Sequence, residues 1–434
     1  MANYEIPSID PNAAVVRAPG LHEARLDDAV VVLDQRSDQC HVLGGAAGSI
    51  WSLIDDRRTS AEITKELGTL LSAETADIGP EVLAAVQGLQ GIGIVELTEL
   101  QSPSNRSQFE TSADGISLAV STAGSISVSN PIDVQSRRSK WGPTMVRLVG
   151  GWDSGVVLGP FAFGDVSVRI ATDIPEIAVH LRTVLRAMDA ASSASQTGKR
   201  CDVVIARDHK DSESRCRIWI DGLLHRRQYL TSLSVEYVMT ELNLVAVSGT
   251  GDSLLFHAGA VERDGRVVVI AGISGRGKST LTAALVRAGF RYVTDEMAII
   301  DPKSGWVRPY LKPLDLDDSS LDLLGLGGRV DENYVVEKFR VDPLVVGDPS
   351  TGGQIAMVVV LTDDGGTEVM EDAEVLAPVD ALSAILPNVF AETYGISDPL
   401  QKIVDLCELH PVIALPRLPL GESVAIIEQV LSTR

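Results

Sequence analysis

Gly272-Ile-Ser-Gly-Arg-Gly-Lys-Ser279 is the stretch of this chain whose residue types and spacing most directly imply chemistry. It is a complete G-x-x-x-x-G-K-S run, and its flanks suit it. Residues 266–271 (RVVVIA) read as a buried β-strand, residues 278–287 (KSTLTAALVR) are helix formers, and Gly289 suits a helix C-cap. Glycines let a backbone wrap polyphosphate, so that its N–H groups and the helix N-terminus face the negative charge. Lys278 would reach the β- and γ-phosphates and the Ser279 hydroxyl would ligate Mg²⁺. The predicted nucleotide-binding residues are Gly272, Ser274, Gly275, Arg276, Gly277, Lys278, Ser279 and Thr280. Strand, loop and helix in register predict a nucleoside triphosphate site; ATP against GTP is unreadable.

Asp295-Glu296 follows only seventeen positions after Lys278, at the end of a strand-like run over 290–294. Strand C-termini of a parallel α/β sheet line the crevice where ligands sit, so both acids are expected to face the γ-phosphate. One carboxylate can hold Mg²⁺ while the other accepts a hydroxyl proton, the division of labour in phosphoryl transfer. Asp295 is the preferred base and Glu296 the preferred metal-linked acid, with Asp295 as an alternative metal ligand. The reverse assignment is also open, as is an inert turn pair.

With these residues in place a resemblance becomes usable. His257-Ala-Gly-Ala-Val261, the loop, and Tyr-Val-Thr-Asp-Glu at 292–296 resemble the core of the HPr serine kinase family, closest to its divergent HPr-kinase-related branch. The resemblance implies an ATP-dependent kinase of protein or peptide hydroxyls, with a fold akin to phosphoenolpyruvate carboxykinase. It makes His257, Lys278 and Asp295 catalytic candidates, and it puts Glu296 at a position that is aspartate in bona fide HPr kinases. The glycine-rich signature tied to the family's reverse, phosphorylase reaction is replaced here by residues 301–313, DPKSGWVRPYLKP. HPr is therefore a poor substrate expectation. Arg308 and Lys312 could clamp phosphate or a substrate acid, or be solvated surface charge.

The other end of the chain carries a second resemblance. Residues 30–34 and 39–43 read as short strands around a turn, while 45–54 and 61–71 have helical apolar spacing. Thr59 or Ser60 is the expected N-cap, with Glu62 in the first turn, and Pro80 is expected to start a third helix ending at Gly91. From about Val15 to Leu97 the chain resembles a PqqD-like peptide chaperone, the recognition element of ribosomally made, modified peptides. The family's asparagine-proline start to the first helix is replaced by Gly44-Gly45. Relatives bind a leader peptide as an added strand. The resemblance places such a peptide against Cys40, His41, Val42 and Leu43, beside Val82, Val86 and Leu89, and the bland alternative makes the apolar ones core. The same small fold can bind DNA. Residues 1–100 hold six Lys plus Arg and sixteen Asp plus Glu, a net of minus ten, so phosphate neutralisation is not available.

Composition places the remaining limits. The chain has 434 residues, enough for two or three domains, and a net charge of −22 that disfavours nucleic acid and anionic membranes. No apolar run is long enough to span a bilayer and no signal segment opens the sequence, so a cytoplasmic enzyme is expected. Cys40, Cys201, Cys216 and Cys407 lack metal-ligand spacing, although Cys201 and Cys216 could be close in space, and no zinc is expected.

The expected organisation is α/β and α+β multidomain: a winged-helix-like PqqD-type domain (1–100), a Ser-rich flexible linker (101–142) and a P-loop HPr kinase/phosphoenolpyruvate carboxykinase-like domain (143–434). Residues 116–120 and 125–128 could form a stray hairpin within the linker, and the last domain is expected to begin near Met145. Within it, 143–250 forms a flank, with strands over 161–169, 201–206 and 217–220, an Asp221-Gly222 turn, and helices over 174–188 and 235–247. Residues 251–434 form the nucleotide core, completed by strands at 355–361 and 410–418 and helices at 381–385, 399–407 and 424–431. The expected function is phosphorylation of a Ser or Thr hydroxyl on a precursor peptide whose leader binds the N-terminal domain, with ATP and Mg²⁺. A nucleotide-gated peptide chaperone, a regulatory ATP-binding scaffold and a small-molecule kinase are the alternatives. Other maturation enzymes and a second copy of the chain are further candidate partners.

Overall fold

A computed structural model describes residues 13–26, 29–37, 39–55, 57–71, 75–98, 155–191, 199–208, 215–327, 338–362, 373–390, 393 and 396–433. The linker, the hairpin considered at 116–128 and the start near Met145 lie outside these residues. The chain divides into two compact units, Met1–Trp141 and Gly142–Arg434.

In the first unit, β1 (Ala14–Arg17) pairs antiparallel with β5 (Val95–Thr98), joining the two ends of the described segment. Between them a three-stranded meander runs β2 (Leu21–Leu26), β3 (Ala29–Asp34) and β4 (Gln39–Leu43). Three helices follow: α1 (Gly45–Leu53), α2 (Ser60–Leu71) and α3 (Thr75–Gly91). The start of α2 is a reciprocal capping box. The Thr59 hydroxyl accepts from Glu62 N at 3.2 Å, and Glu62 Oε2 accepts from Thr59 N at 2.9 Å. Ile50, Trp51, Ile63, Val86 and Ile94 form the centre of the core. Helix α3 departs from the sequence reading. It begins at Thr75, so Pro80 lies inside it, where its missing N–H removes one intrahelical hydrogen bond.

The second unit opens with a five-stranded sheet of order β10-β9-β8-β7-β6. Its strands are β6 (Val156–Phe163), β7 (Val166–Thr172), β8 (Lys199–Arg207), β9 (Arg215–Ile220) and β10 (Leu223–Leu230). The helix expected over 174–188 is broken at Leu185 into α4 (Pro175–Val184) and α5 (Arg186–Ala191), and Val179 is 58% exposed. The Asp221-Gly222 turn has φ of 46° and 77°, as a two-residue hairpin requires. Arg207 is paired with Cys216 while Val203 is paired with Ile220, so Cys201 and Cys216 sit at opposite ends of the β8–β9 ladder. All four cysteines are free. Helix α6 (Ser234–Gly249) then packs Val238 and Leu242 against this sheet.

The second sheet holds the loop. Its strands include β11 (Leu254–Phe256), β12 (Gly259–Arg263) and β13 (Arg266–Ala271). After the loop come α7 (Lys278–Arg287), β14 (Arg291–Thr294), β15 (Ala298–Ile300) and β16 (Trp306–Arg308). A small hairpin, β17 (Leu314–Leu316) with β18 (Phe339–Val341), brackets α8 (Asp318–Leu323) and is followed by α9 (Pro343–Val346). The chain closes with β19 (Gly353–Leu361), β20 (Glu374–Val375), α10 (Pro378–Ile385), α11 (Pro399–Leu409), β21 (Val412–Leu415) and α12 (Leu420–Ser432). The strand expected over 410–418 is thus only four residues long. The sheet is mixed rather than parallel. Strands β13, β19 and β21 run parallel, but β12 lies antiparallel between β13 and β14. Because β14 and β13 both oppose β12, their C-terminal ends meet the N-terminal end of β12 at one edge. One continuous apolar core joins this sheet to the five-stranded one.

Candidate nucleotide and phosphoryl-transfer site

The loop leaves β13 at Gly272 and enters α7 at Lys278, and three of its glycines have backbone angles that side chains rarely adopt. Gly272, Gly275 and Gly277 have φ of 148°, 83° and 89°. A Cβ at Gly272 would also crowd Leu361, coming within 3.1 Å of its Cβ. The cap of α7 makes no side-chain hydrogen bond and its first turn holds no acid. A concave run of backbone N–H groups at an uncapped helix N-terminus suits phosphate.

Lys278 is 7% exposed, and its Nζ donates to Gly272 O at 2.6 Å. Burial lowers its pKa, opposed by the nearby Asp295 and Glu296 carboxylates. On the other side, Gly272 N donates to Asn388 Oδ1 at 2.9 Å, and Asn388 O accepts from His257 N at 2.7 Å. Asn388 therefore ties the loop to His257. The sequence reading missed it; its one signal was a lone amide in the apolar run of residues 385–390.

Asp295 and Glu296 follow directly on the C-terminal end of β14. The Thr294 hydroxyl accepts from Glu296 N and Met297 N at 3.2 and 3.3 Å, which fixes the turn. Asp295 is 8% exposed; its carboxylate accepts from the Ser279 hydroxyl, while Oδ1 has no partner. Burial pushes its pKa from 3.8 up to about 7, against the Ser279 hydrogen bond and Lys312, which lower it. Glu296 instead joins a charge chain. Its Oε2 accepts from Lys312 Nζ at 2.5 Å and its Oε1 lies 3.6 Å from His257 Nδ1. Lys312 is 5% exposed and also donates to Asp315 Oδ2 at 3.0 Å. Arg340 stands behind, 3.7 Å from Asp315 and bonded to Glu236. Burial lowers His257, with Glu296 opposing, so the ring is neutral at physiological pH.

One expectation needs correction. Arg308 does not join the loop: its guanidinium is engaged by Asp165 at 2.6 Å, Ser253 at 2.7 Å and Thr250 O at 3.2 Å. Thr280 directs its hydroxyl to Ser320 Oγ at 2.7 Å, on α8. Lys312 does reach the site, but as a buried partner of Glu296 rather than a solvated charge.

Among the described residues no group of three or more His, Cys, Asp or Glu could cage a metal ion. Ser279, Asp295 and Glu296 form a hard-oxygen set of the kind that holds Mg²⁺ through one or two carboxylates plus substrate phosphates, and the partnerless Asp295 Oδ1 retains capacity for it. The residues fit ATP and Mg²⁺.

In the first unit, β4 pairs only with β3 among the described residues, so its second edge is open. Cys40 and His41 are half-buried and Val42 is 40% exposed. Leu43, Val82, Val86 and Leu89 are 6%, 1%, 0% and 3% exposed, which makes them core rather than groove-lining residues. No described helix is long and apolar enough to cross a membrane.

Comparison with known proteins agrees with parts of this picture. The family model described as coenzyme PQQ synthesis protein D (PqqD) matches residues 29–95. A solved structure of TbiB1 in complex with the TbiA(beta) leader peptide is 20% identical, covers 19% of this chain and 94% of that one, and superposes with a TM-score of 0.18. The HPr(Ser) kinase/phosphatase from Coxiella burnetii is 15% identical, covers 41% of this chain and 88% of that one, with a TM-score of 0.21. Superpositions at these scores carry no argument of their own. No curated protein matches the chain. The first unit, over residues 29–95, is similar to a PqqD domain.

Proposed function

We propose that this chain is an ATP-dependent kinase that captures a ribosomally made precursor peptide with its first unit and phosphorylates a Ser or Thr hydroxyl with its second. The observation that carries the reading is Asp295: a buried carboxylate at a strand end, beside the phosphate-loop serine, with a pKa raised to about 7. A carboxyl tuned near operating pH is what a general base needs.

In this reading the loop amides and Lys278 bind the β- and γ-phosphates and stabilise charge on the transferring group. Ser279 and an acid of the Asp295-Glu296 pair would hold Mg²⁺, whose chemistry is to offset phosphate charge. Asp295 takes the proton of the acceptor hydroxyl as that oxygen bonds the γ-phosphorus. The bond from phosphorus to the bridging oxygen breaks, and ADP leaves with the electron pair. Lys312 holds Glu296 in place, and neutral His257 lines the same edge. The open side of β4 is the strand-addition surface for the leader, with main-chain hydrogen bonds supplying affinity. The similarity of residues 29–95 to PqqD supports this half of the reading.

The test is direct. Lys278→Ala should lose both nucleotide binding and transfer, whereas Asp295→Asn should keep Mg-ATP binding and lose transfer. If Asp295→Asn still supports full peptide maturation, the chain is a nucleotide-gated chaperone and not a kinase.

A further inference from the structure

Thr282 lies on α7, one turn after Ser279, and is fully buried. Its hydroxyl oxygen has no hydrogen-bond partner. That is unusual for a threonine within a helix of this chain. Thr64, Thr69, Thr183 and Thr240 each donate to the carbonyl four residues back. Thr282 turns away from that bond and toward Gly259, at the start of β12. A Cβ at Gly259 would lie 2.2 Å from Thr282 Oγ1 and 3.8 Å from Asp295 Oδ1. The two oxygens are therefore no further apart than the sum of those distances, which one water making two hydrogen bonds of about 3.0 Å spans. They are also the two buried, partnerless polar atoms of this edge of the sheet.

A buried hydroxyl without a partner costs free energy, as does a buried carboxylate oxygen without one, and neither cost persists when the two can satisfy each other. We propose that Thr282 is a positioning residue for Asp295, its hydroxyl bonded to Oδ1 directly or across one buried water beside Gly259, where no side chain stands between the two oxygens. The carboxylate is then held at both ends, by Ser279 on one oxygen and Thr282 on the other. Its orientation toward an acceptor hydroxyl is set before any substrate arrives. The catalytic consequence rests on the kinase reading above, but the Thr282–Asp295 link does not.

A double-mutant cycle on thermal unfolding of the full chain tests the link without activity. Thr282→Val should lower Tm by about 2 °C or more when Asp295 is present, because it strands a buried carboxylate oxygen. In the Asp295→Ala background the same change should leave Tm unchanged or raise it. Equal shifts in both backgrounds overturn the proposal. Should Asp295→Ala not fold, a crystal structure of the unmodified chain decides: neither a direct bond nor a bridging water between the two oxygens refutes it. In phosphotransfer, Thr282→Val should reduce kcat about tenfold or more while ATP affinity stays within about twofold, and Thr282→Ser should restore kcat. Unchanged kcat in Thr282→Val overturns the positioning role. A wild type that transfers no phosphate defeats the kinase reading alone, and the Tm cycle still decides the link.

Discussion

Asp295 couples stability to pH in a direction opposite to that of an ordinary surface carboxylate. Burial raises its pKa from 3.8 to about 7, so the folded chain holds this proton more tightly than the unfolded chain does. Its contribution to stability is present below the unfolded value and is lost as pH rises through about 7. Asp295→Asn should therefore melt above the wild type at pH about 8, and the gap should close by pH about 4, where both states are protonated. A constant gap would show that the acid is not shifted. The same pKa predicts that kcat/KM rises with pH through about 7, as the base ionises. Lys312 behaves differently. Burial pushes its pKa down, but the Glu296 and Asp315 carboxylates outweigh that and hold it above the usual range. Lys312→Met leaves two carboxylates facing a buried gap and should cost about 3–5 kcal/mol, read by denaturant unfolding. It also removes a cation that lowers Asp295, so the rising limb of the pH profile should move to higher pH.

At the level of elements, the proposed docking edge of the first unit and its core can be tested separately. Val42 stands 40% exposed on the open edge strand, while Leu89 of α3 is 3% exposed in the core. Val42→Glu should weaken leader-peptide binding about tenfold or more with little change in Tm, since exposed substitutions rarely shift stability by more than about 0.5 kcal/mol. Leu89→Ala should instead lose about 2–5 kcal/mol of stability. Equal peptide affinity in Val42→Glu would remove β4 as the docking strand. The sequence could not make this separation. Apolar residues at helical spacing read alike whether they line a groove or fill a core, and Val82, Val86 and Leu89 fill the core. What the sequence did disclose was local: a glycine-rich phosphate-type loop, an N-cap at Thr59 or Ser60 with Glu62 in the first turn, and a turn at Asp221-Gly222. The antiparallel insertion of β12 was hidden because pairing direction is set by tertiary contacts, not by the pattern within a strand. Asn388, Asp315 and Arg340 were hidden for the same reason. Each lies far along the chain from the loop and reaches its neighbourhood only through the fold.

For the whole molecule, the proposed pairing of a peptide-binding unit with a phosphoryl-transfer unit in one chain has a kinetic consequence. A peptide held by the first unit is presented to the second at an effective concentration of up to about millimolar. Deleting residues 1–98 should therefore abolish transfer at micromolar peptide yet restore part of it at millimolar peptide, with ATP affinity unchanged. Equal transfer by the truncated and full chains at low peptide would show that the first unit serves something else. The charge of the chain bears on the partner as well. At −22 overall it repels nucleic acid, and the leader peptide is expected to bind through backbone pairing and apolar contact.

The measurement that bears most directly on the central claim is the intact mass of each short peptide encoded beside this gene, after incubation with the full chain and Mg-ATP. The account predicts a single phosphate added to a Ser or Thr of one peptide, absent with Asp295→Asn and with Lys278→Ala. Tight binding of that peptide by a chain that hydrolyses or holds ATP and leaves every peptide mass unchanged would contradict it.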